Sequence, residues 1–183
     1  MNVKHTLKPI YDKNSKVLIL GSLPSVKSRE VGFYYGHPKN RFWNTLEQVF
    51  DEKIGNTIEE KTNFLLTHHI ALFDVIKECE ISSSSDSSIK NATPNNLNPI
   101  LKKSKIKTIF TTGTKAHQLY KKYIYPKTKI EDIPLPSTSP ANCKKGIENL
   151  LIKEYKKIKI CLEKSILSLI HISEPTRQEA ISY

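Results

Sequence analysis

Arginine is nearly absent from a chain that is otherwise strongly basic. Lys and Arg together number 29 against 18 Asp and Glu, a formal charge of +11, yet arginine stands only at Arg29, Arg41 and Arg177. A basic face gains free energy by releasing counterions from a polyanion, which makes nucleic acid a natural partner. An AT-rich genome writes the same Lys, Ile and Asn bias onto any soluble protein, so charge alone does not decide between the two. Cysteine is scarce as well. Cys79, Cys143 and Cys161 are scattered, odd in number and without CxxC spacing. This speaks against a disulfide framework, a zinc knuckle or an iron–sulfur cluster; no metal or cofactor is expected, and a reducing cytoplasm is the simplest home. Long apolar runs are missing too: no window approaches the ~18 residues of a membrane span. Residues 1–20 carry Lys4, Lys8, Asp12, Lys13 and Lys16 and no apolar signal core. A length of 183 residues suits one buried core, and a monomer of one domain is expected.

The last stretch, residues 167–183 (LSLIHISEPTRQEAISY), departs from the Lys- and Asn-rich style before it. Its run LSLIHISEPTR resembles the in-frame translation of a sequencing-library adapter. The domain is therefore expected over residues 1–166, with 167–183 a non-native tail left out of fold reasoning.

Along the rest of the chain, strand and helix patterns alternate. Val17-Leu-Ile-Leu20 is a continuous apolar run stopped by Gly21, which reads as a buried parallel strand opening into a loop at its C-terminal end. Residues 41–50 place Phe42, Trp43, Leu46, Val49 and Phe50 at helical spacing, with Asn40 suited to the N-cap. Residues 58–68 read as helical, 70–76 (IALFDVI) as apolar and ambiguous, and Ser82 to Ser88 as a polar loop. A strand over 107–112 ends at Gly113 and is followed by a helix over about 114–123. A short strand over 130–135, a loop over 136–142 and a helix over 144–161 complete the pattern. The expected fold is a three-layer α/β/α domain with a mainly parallel central sheet.

Two loops that follow strands carry the chemistry. One is Gly21-Ser-Leu-Pro-Ser25 with its extension to Trp43, and the other is Leu135-Pro-Ser-Thr-Ser-Pro-Ala-Asn142. Both are expected on the ligand-binding edge of the sheet. GSLPS followed by GFYYGHPKNRFW resembles the first motif of the mismatch-specific uracil/thymine glycosylases, in the uracil-DNA glycosylase superfamily. LPSTSPAN stands where their second motif would. The YY-x-HP-x-N-x-FW run after a GS-x-P loop is most similar to the hypoxanthine-DNA glycosylase (DNA-deoxyinosine glycosylase) family, over roughly residues 17–160.

The resemblance implies a monofunctional enzyme that hydrolyses the N-glycosidic bond of a deaminated base in DNA, hypoxanthine first and uracil as the nearest rival. One departure stands out: where the mismatch family carries an Asn that positions water, this chain has Leu23, which cannot. The resemblance then places the catalytic role on Asn40. That amide can hold water or grip the base, but Asn40 is equally placed to cap the helix. Gly21, Ser22, Leu23 and Pro24 would form the base pocket, and backbone N–H groups of the Gly21 to Ser25 loop, Pro24 having none, would face charge that collects on the departing base. Tyr35 stands at the stacking position, with packing of the loop as its other reading. His37 contacts base or phosphate, or simply holds the loop. Ser137, Thr138, Ser139, Pro140, Ala141, Asn142 and Lys144 would meet the DNA, either as phosphate donors and a wedge or as an ordinary Ser/Pro turn. Lys27, Arg29, Lys39, Arg41 and Lys145 flank the loops and are expected to grip the DNA backbone, unless any one of them is merely solvated. The only acidic residue noted in either loop is Glu30, read as solvated. A non-catalytic nucleic-acid-binding domain and a hydrolase of free nucleosides remain as readings of other classes.

Overall fold

A computed structural model describes residues 1–82 and 88–173, the side chains of residues 166–173 excepted. Its centre is a four-stranded parallel sheet of β2 (Val17–Gly21), β3 (Ile70–Asp74), β6 (Thr108–Thr112) and β7 (Asp132–Leu135), in the order β3-β2-β6-β7. All residues of β2 and β3 are buried, as an unbroken apolar run requires when both sheet faces are covered. Pro134 is tolerated because β7 is an edge strand. Helices pack on the sheet to give the three-layer α/β/α arrangement expected from the sequence.

A second sheet lay outside that expectation. β1 (Asn2–Lys4), β4 (Ile76–Glu80) and β5 (Lys90–Pro94) pair antiparallel in the order β1-β4-β5. The ambiguous 70–76 segment is thus two strands, β3 and β4, meeting at Val75. Of the polar loop expected over 82–88, residues 83–87 lie outside the described residues.

The helices follow local signals. α1 (Val26–Val31) is capped by Ser25, whose hydroxyl accepts from the Ser28 N–H, and ends at Gly32 with φ 81°. α2 (Phe42–Phe50) buries Phe42, Trp43, Thr45, Leu46 and Val49. α3 (Ile58–Thr67) opens with a complete capping box between Thr57 and Glu60. α4 (Asn98–Lys102) leads toward β6. The helix expected over 114–123 is interrupted: α5 (Thr114–Leu119) passes into a π-helical turn over Tyr120–Ile124 and then α6 (Tyr125–Thr128). The Tyr120 hydroxyl donates to Ile130 O at 2.6 Å, and Pro126 lacks the N–H that regular winding would use. α7 (Ile147–Ser173) packs on α2, β2 and β7. It starts three residues later than expected, after Gly146 at φ 76°. Its backbone continues through the first part of the suspected tail; residues 174–183 lie outside the described residues. Among the described residues no helix is long and apolar enough to cross a membrane.

Chain order places the site. From β2 the chain crosses to β3 on one side, and β6 lies on the other, so the C-terminal end of β2 is a topological switch point where a crevice opens. Gly21 stands there.

Candidate active site

Gly21 is a glycine because of its neighbour rather than its backbone angles. A β-carbon there would lie 2.5 Å from Asp74 Oδ1, 3.4 Å from Tyr35 Oη and 3.7 Å from Thr112 Oγ1. Three oxygens from β3, the first loop and β6 thus converge over one Cα. The Gly21 and Ser22 carbonyls accept from Val75 N at 2.8 Å and Ile76 N at 3.0 Å, which ties the loop to the β3–β4 junction. Gly21, Ser22 and Pro24 are buried and Leu23 half-buried; Ser25 already caps α1. The base-binding loop is therefore short and fixed at both ends.

Asp74 and His5 were not foreseen. The Asp74 side chain is 5% exposed, and its Oδ2 lies 2.8 Å from His5 Nε2, on a ring that is 3% exposed. Glu30 is the sole acid within the loops themselves, but Asp74 brings a carboxylate against the first loop from the adjacent strand. An Asp ending an apolar run, IALFD, was the available signal, since such a residue rarely enters a core without a partner.

The aromatic run divides as its neighbours dictate. Phe33 and Tyr34 are core: Phe33 stacks on Trp43, with centroids 5.8 Å apart, and the Tyr34 hydroxyl donates to Lys8 O at 2.7 Å. Burial, reinforced by the negative charge of Asp74 and then by Tyr35, raises the Tyr34 phenol far above its ordinary pKa. Tyr35 is half-buried, with φ 52°, a left-handed conformation that a bulky residue holds only when its surroundings fix it. Its ring lies on Phe42 at 3.8 Å and 12°, and its hydroxyl is 3.1 Å from Thr112 Oγ1.

The His37-Pro-Lys-Asn40 segment is a tight turn. Asn40 N donates to His37 O at 2.9 Å, and Lys39 N to His37 Nδ1 at 3.0 Å. His37 is exposed and one of its nitrogens serves the turn. Asn40 Oδ1 accepts from Phe42 N at 2.9 Å, which corrects the expected N-cap: Arg41 holds that position without a side-chain bond, and Asn40 closes the turn into α2 from one residue before it. Its Nδ2 has no partner among the described residues.

The second loop is held by its own side chains. Ser139 N donates to Ser137 Oγ, Ala141 N to Ser139 Oγ and Asn142 Nδ2 to Ser137 O, all within 3.0–3.2 Å. Tyr155, buried on α7, donates to Pro136 O at 2.9 Å. Ser137, Ser139 and Pro140 are half-buried, Ala141 and Lys144 exposed. Thr138 is corrected as a phosphate donor: it is 2% exposed, and its contact is made by the backbone carbonyl, which accepts from Arg41 N at 3.0 Å. Arg41, one of the flanking cations, turns inward: its Nη1 donates to Ser139 O and Asn142 O, both at 3.2 Å. Both loops therefore meet at one edge, joined by Arg41. Among the described residues no group of three or more His, Cys, Asp or Glu is placed to hold a metal.

Comparison with known proteins agrees with this geometry. Residues 8–163 match the family model of the uracil DNA glycosylase superfamily. The chain is 34% identical over 145 residues to the hypoxanthine DNA glycosylase of Methanosarcina acetivorans, covering 76% of this chain and 89% of that protein. It is 35% identical over 89 residues to that of Methanosarcina barkeri, covering 48% and 56%. The solution NMR structure of a Methanosarcina acetivorans protein provisionally assigned as a uracil DNA glycosylase superposes with a TM-score of 0.72 at 30% identity, over 87% of this chain and 99% of that one. With two strand-end loops closing on the switch point of a parallel sheet and a family match across most of its length, the chain belongs to the uracil-DNA glycosylase superfamily.

Proposed function

We propose that this protein is a monofunctional DNA glycosylase that releases hypoxanthine from deoxyinosine in DNA, working in base-excision repair as a cytoplasmic monomer. The observation that carries the reading is the pairing of Leu23 in the first loop with an Asn40 amide whose Nδ2 is unengaged among the described residues. This is the arrangement implied by the hypoxanthine family, and two relatives bearing that name are 34% and 35% identical.

N-glycosidic cleavage pulls the sugar toward an oxocarbenium ion while negative charge gathers on the leaving base, much as in glycoside hydrolysis. Asn40 holds the attacking water, donating through Nδ2 and accepting on the second lone pair of Oδ1, the first being spent on Phe42 N. Backbone N–H groups of the Gly21–Pro24 loop face the departing base, and each such donor in a dry site contributes about 2.7–4 kcal/mol. Tyr35, held flat by Phe42, offers its other face to the flipped base. Pro140, Ala141 and Asn142 enter the space left in the duplex, while Ser137, Ser139 and Lys144 face phosphates and His37 borders the pocket.

The full chain incubated with inosine-containing oligonucleotides should release hypoxanthine and leave alkali-labile abasic sites without direct strand cleavage. Release of uracil alone, from uracil-containing oligonucleotides, would assign the site to the mismatch-type activity. Binding without release of any base would make it a recognition domain.

A further inference from the structure

The edge of the central sheet opposite the candidate site is fed by three turns: residues 12–16 before β2, 102–107 before β6 and 127–131 before β7. They lie side by side because β2, β6 and β7 are neighbours in the sheet. Lys105 N donates to Ser15 O at 3.0 Å, Lys107 N to Lys16 O at 3.3 Å, and Lys16 N to His69 O at 2.8 Å. The three turns carry eight lysines, all exposed except the half-buried Lys16, and two acids. Both acids are spent locally: Asp12 Oδ1 accepts from Asn14 N at 2.8 Å, and Glu131 pairs with Lys121. Among the described residues none of the eight lysines forms an ion pair. Burial lowers the pKa of His69, just before β3, and the charge of Lys16 lowers it by more than Asp12 raises it. Positive charge is therefore not cancelled at this edge. A lysine-rich genome scatters lysine over a surface, but eight to two in adjoining turns departs from the 29 basic and 18 acidic residues of the whole chain.

The composition of the edge selects its partner. Its apolar residues are Ile106, buried, and Ile130, half-buried, and it holds no aromatic residue and no arginine. Protein interfaces are built on aromatic, Met and Arg anchors and are depleted in lysine, so a protein finds nothing here to seat on. Spread ammonium groups suit a partner whose charge repeats and whose sequence is not read, and the phosphate backbone of duplex DNA is one. We propose that this edge is a second DNA-binding surface, which takes an undamaged duplex while the candidate site holds another. The two surfaces stand at opposite ends of strands four to five residues long, about 17 Å apart before their loops are added, and face away from each other. A single straight duplex therefore cannot touch both. One protein molecule bridges two segments of DNA and passes from one to the other without release into solvent. This inference rests on the reading of the candidate site as one for DNA.

The test counts duplexes. The full chain is sedimented at low salt with an excess of two short duplexes, one carrying 2′-fluorinated, cleavage-resistant deoxyinosine and the other undamaged. Two duplexes per protein molecule are expected. Combining Lys13→Gln, Lys103→Gln, Lys105→Gln and Lys107→Gln should weaken the second duplex at least about 10-fold, and lower its slope of log affinity against log salt by about 0.9 per lysine. Affinity for the inosine duplex, and single-turnover base release from a cleavable one, should not change. Arg at the same four positions keeps the charge and should retain the second duplex. One duplex per wild-type molecule, a second duplex held equally by the Gln variant, or parallel loss of both duplexes in a folded variant would each overturn the proposal. Retention on anionic phospholipid vesicles with only one duplex bound would assign the edge to a membrane surface and overturn it as well. Should the fourfold variant fail to fold, the pairs Lys13→Gln with Lys107→Gln and Lys103→Gln with Lys105→Gln decide: an unchanged slope in both overturns it. A protein that takes two duplexes and loses one on these replacements, yet neither prefers inosine nor releases a base, would support this inference while refuting the glycosylase reading.

Discussion

Arg41 Nη1 donates to the carbonyl oxygen of Asn142 at 3.2 Å, and the two residues are 101 positions apart in sequence. The same nitrogen reaches Ser139 O, and the Arg41 backbone N–H reaches Thr138 O, so one residue joins the turn before α2 to the whole second loop. A guanidinium offers several donors in a fixed plane, which a lysine ammonium cannot reproduce. Arg41→Ala should lower stability by about 2 kcal/mol through lost charge-assisted bonds. Base release should fall about 10–100-fold, because misplacing one side of the site by an ångström is enough. The slope of log affinity against log salt should stay unchanged, since Arg41 is spent on carbonyls. A slope reduced by nearly one in binding titrations would instead make it a phosphate contact.

Asn40 carries two roles that can be separated. Its Oδ1 closes the turn into α2 at the Phe42 N–H, while catalysis is assigned to the remaining lone pair and Nδ2. Ser can accept the same turn bond but lacks the amide and its reach. Asn40→Ser should therefore melt within a few tenths of a kcal/mol of wild type, and Asn40→Ala should lose about 1 kcal/mol. Both should lose base release by about 10²–10⁴-fold, the scale for a positioned proton-handling group. Single-turnover excision by Asn40→Ser at the wild-type rate would reduce Asn40 to a turn residue.

Much of this arrangement was legible in the sequence because local pattern and burial agree there. VLILG and TIFTT needed no tertiary information, since a short run of apolar and β-branched residues ended by Gly already describes a buried strand and its exit. β5, by contrast, is KNATP, largely exposed and without alternation, so nothing local marks it as a strand; it exists because β4 offers it an edge. The π turn after α5 depends on Tyr120 reaching Ile130, and a periodicity argument sees only a continuing helix. The His5–Asp74 contact spans 69 residues and depends on how β3 bends into β4. Thr138 and Arg41 were misjudged for a related reason: polar side chains in a loop look solvent-directed until the opposite loop is in place.

Gly21→Ala tests the convergence at the switch point. The added methyl would stand 2.5 Å from Asp74 Oδ1, well inside contact distance, and 3.4 Å from Tyr35 Oη. Because the neighbouring carboxylate is nearly buried and held by His5, relief requires the β3–β4 junction or the loop to shift. Overpacking of this kind costs about 1–3 kcal/mol. Urea melts should show that loss together with a fall in inosine binding. A variant as stable and as active as wild type would mean that Asp74 moves freely, and the carboxylate would lose its claim to a fixed position.

Alkaline pH should unfold the chain through its buried tyrosines. Burial raises the phenol pKa of Tyr155 well above its ordinary value of 10.0, with Tyr35 adding to the effect. Tyr34 and Tyr120 are also raised, burial being the largest cause in each. The sign follows from which state ionises first. Below pH 10 the phenols are neutral in folded and unfolded chains alike and their contribution to stability is fully present. As pH rises past 10 the unfolded chain releases these protons while the folded chain retains them, so stability falls. Each such tyrosine contributes a slope of about 1.4 kcal/mol per pH unit in that range. Tyr155→Phe should lose about 1 kcal/mol at pH 8, because the bond to Pro136 O is gone. It should also show a slope shallower by about one proton in urea melts between pH 10 and 11.5. The same slope as wild type would mean that Tyr155 ionises in the folded chain as readily as in the unfolded one, and that its burial behind the second loop does not persist in solution.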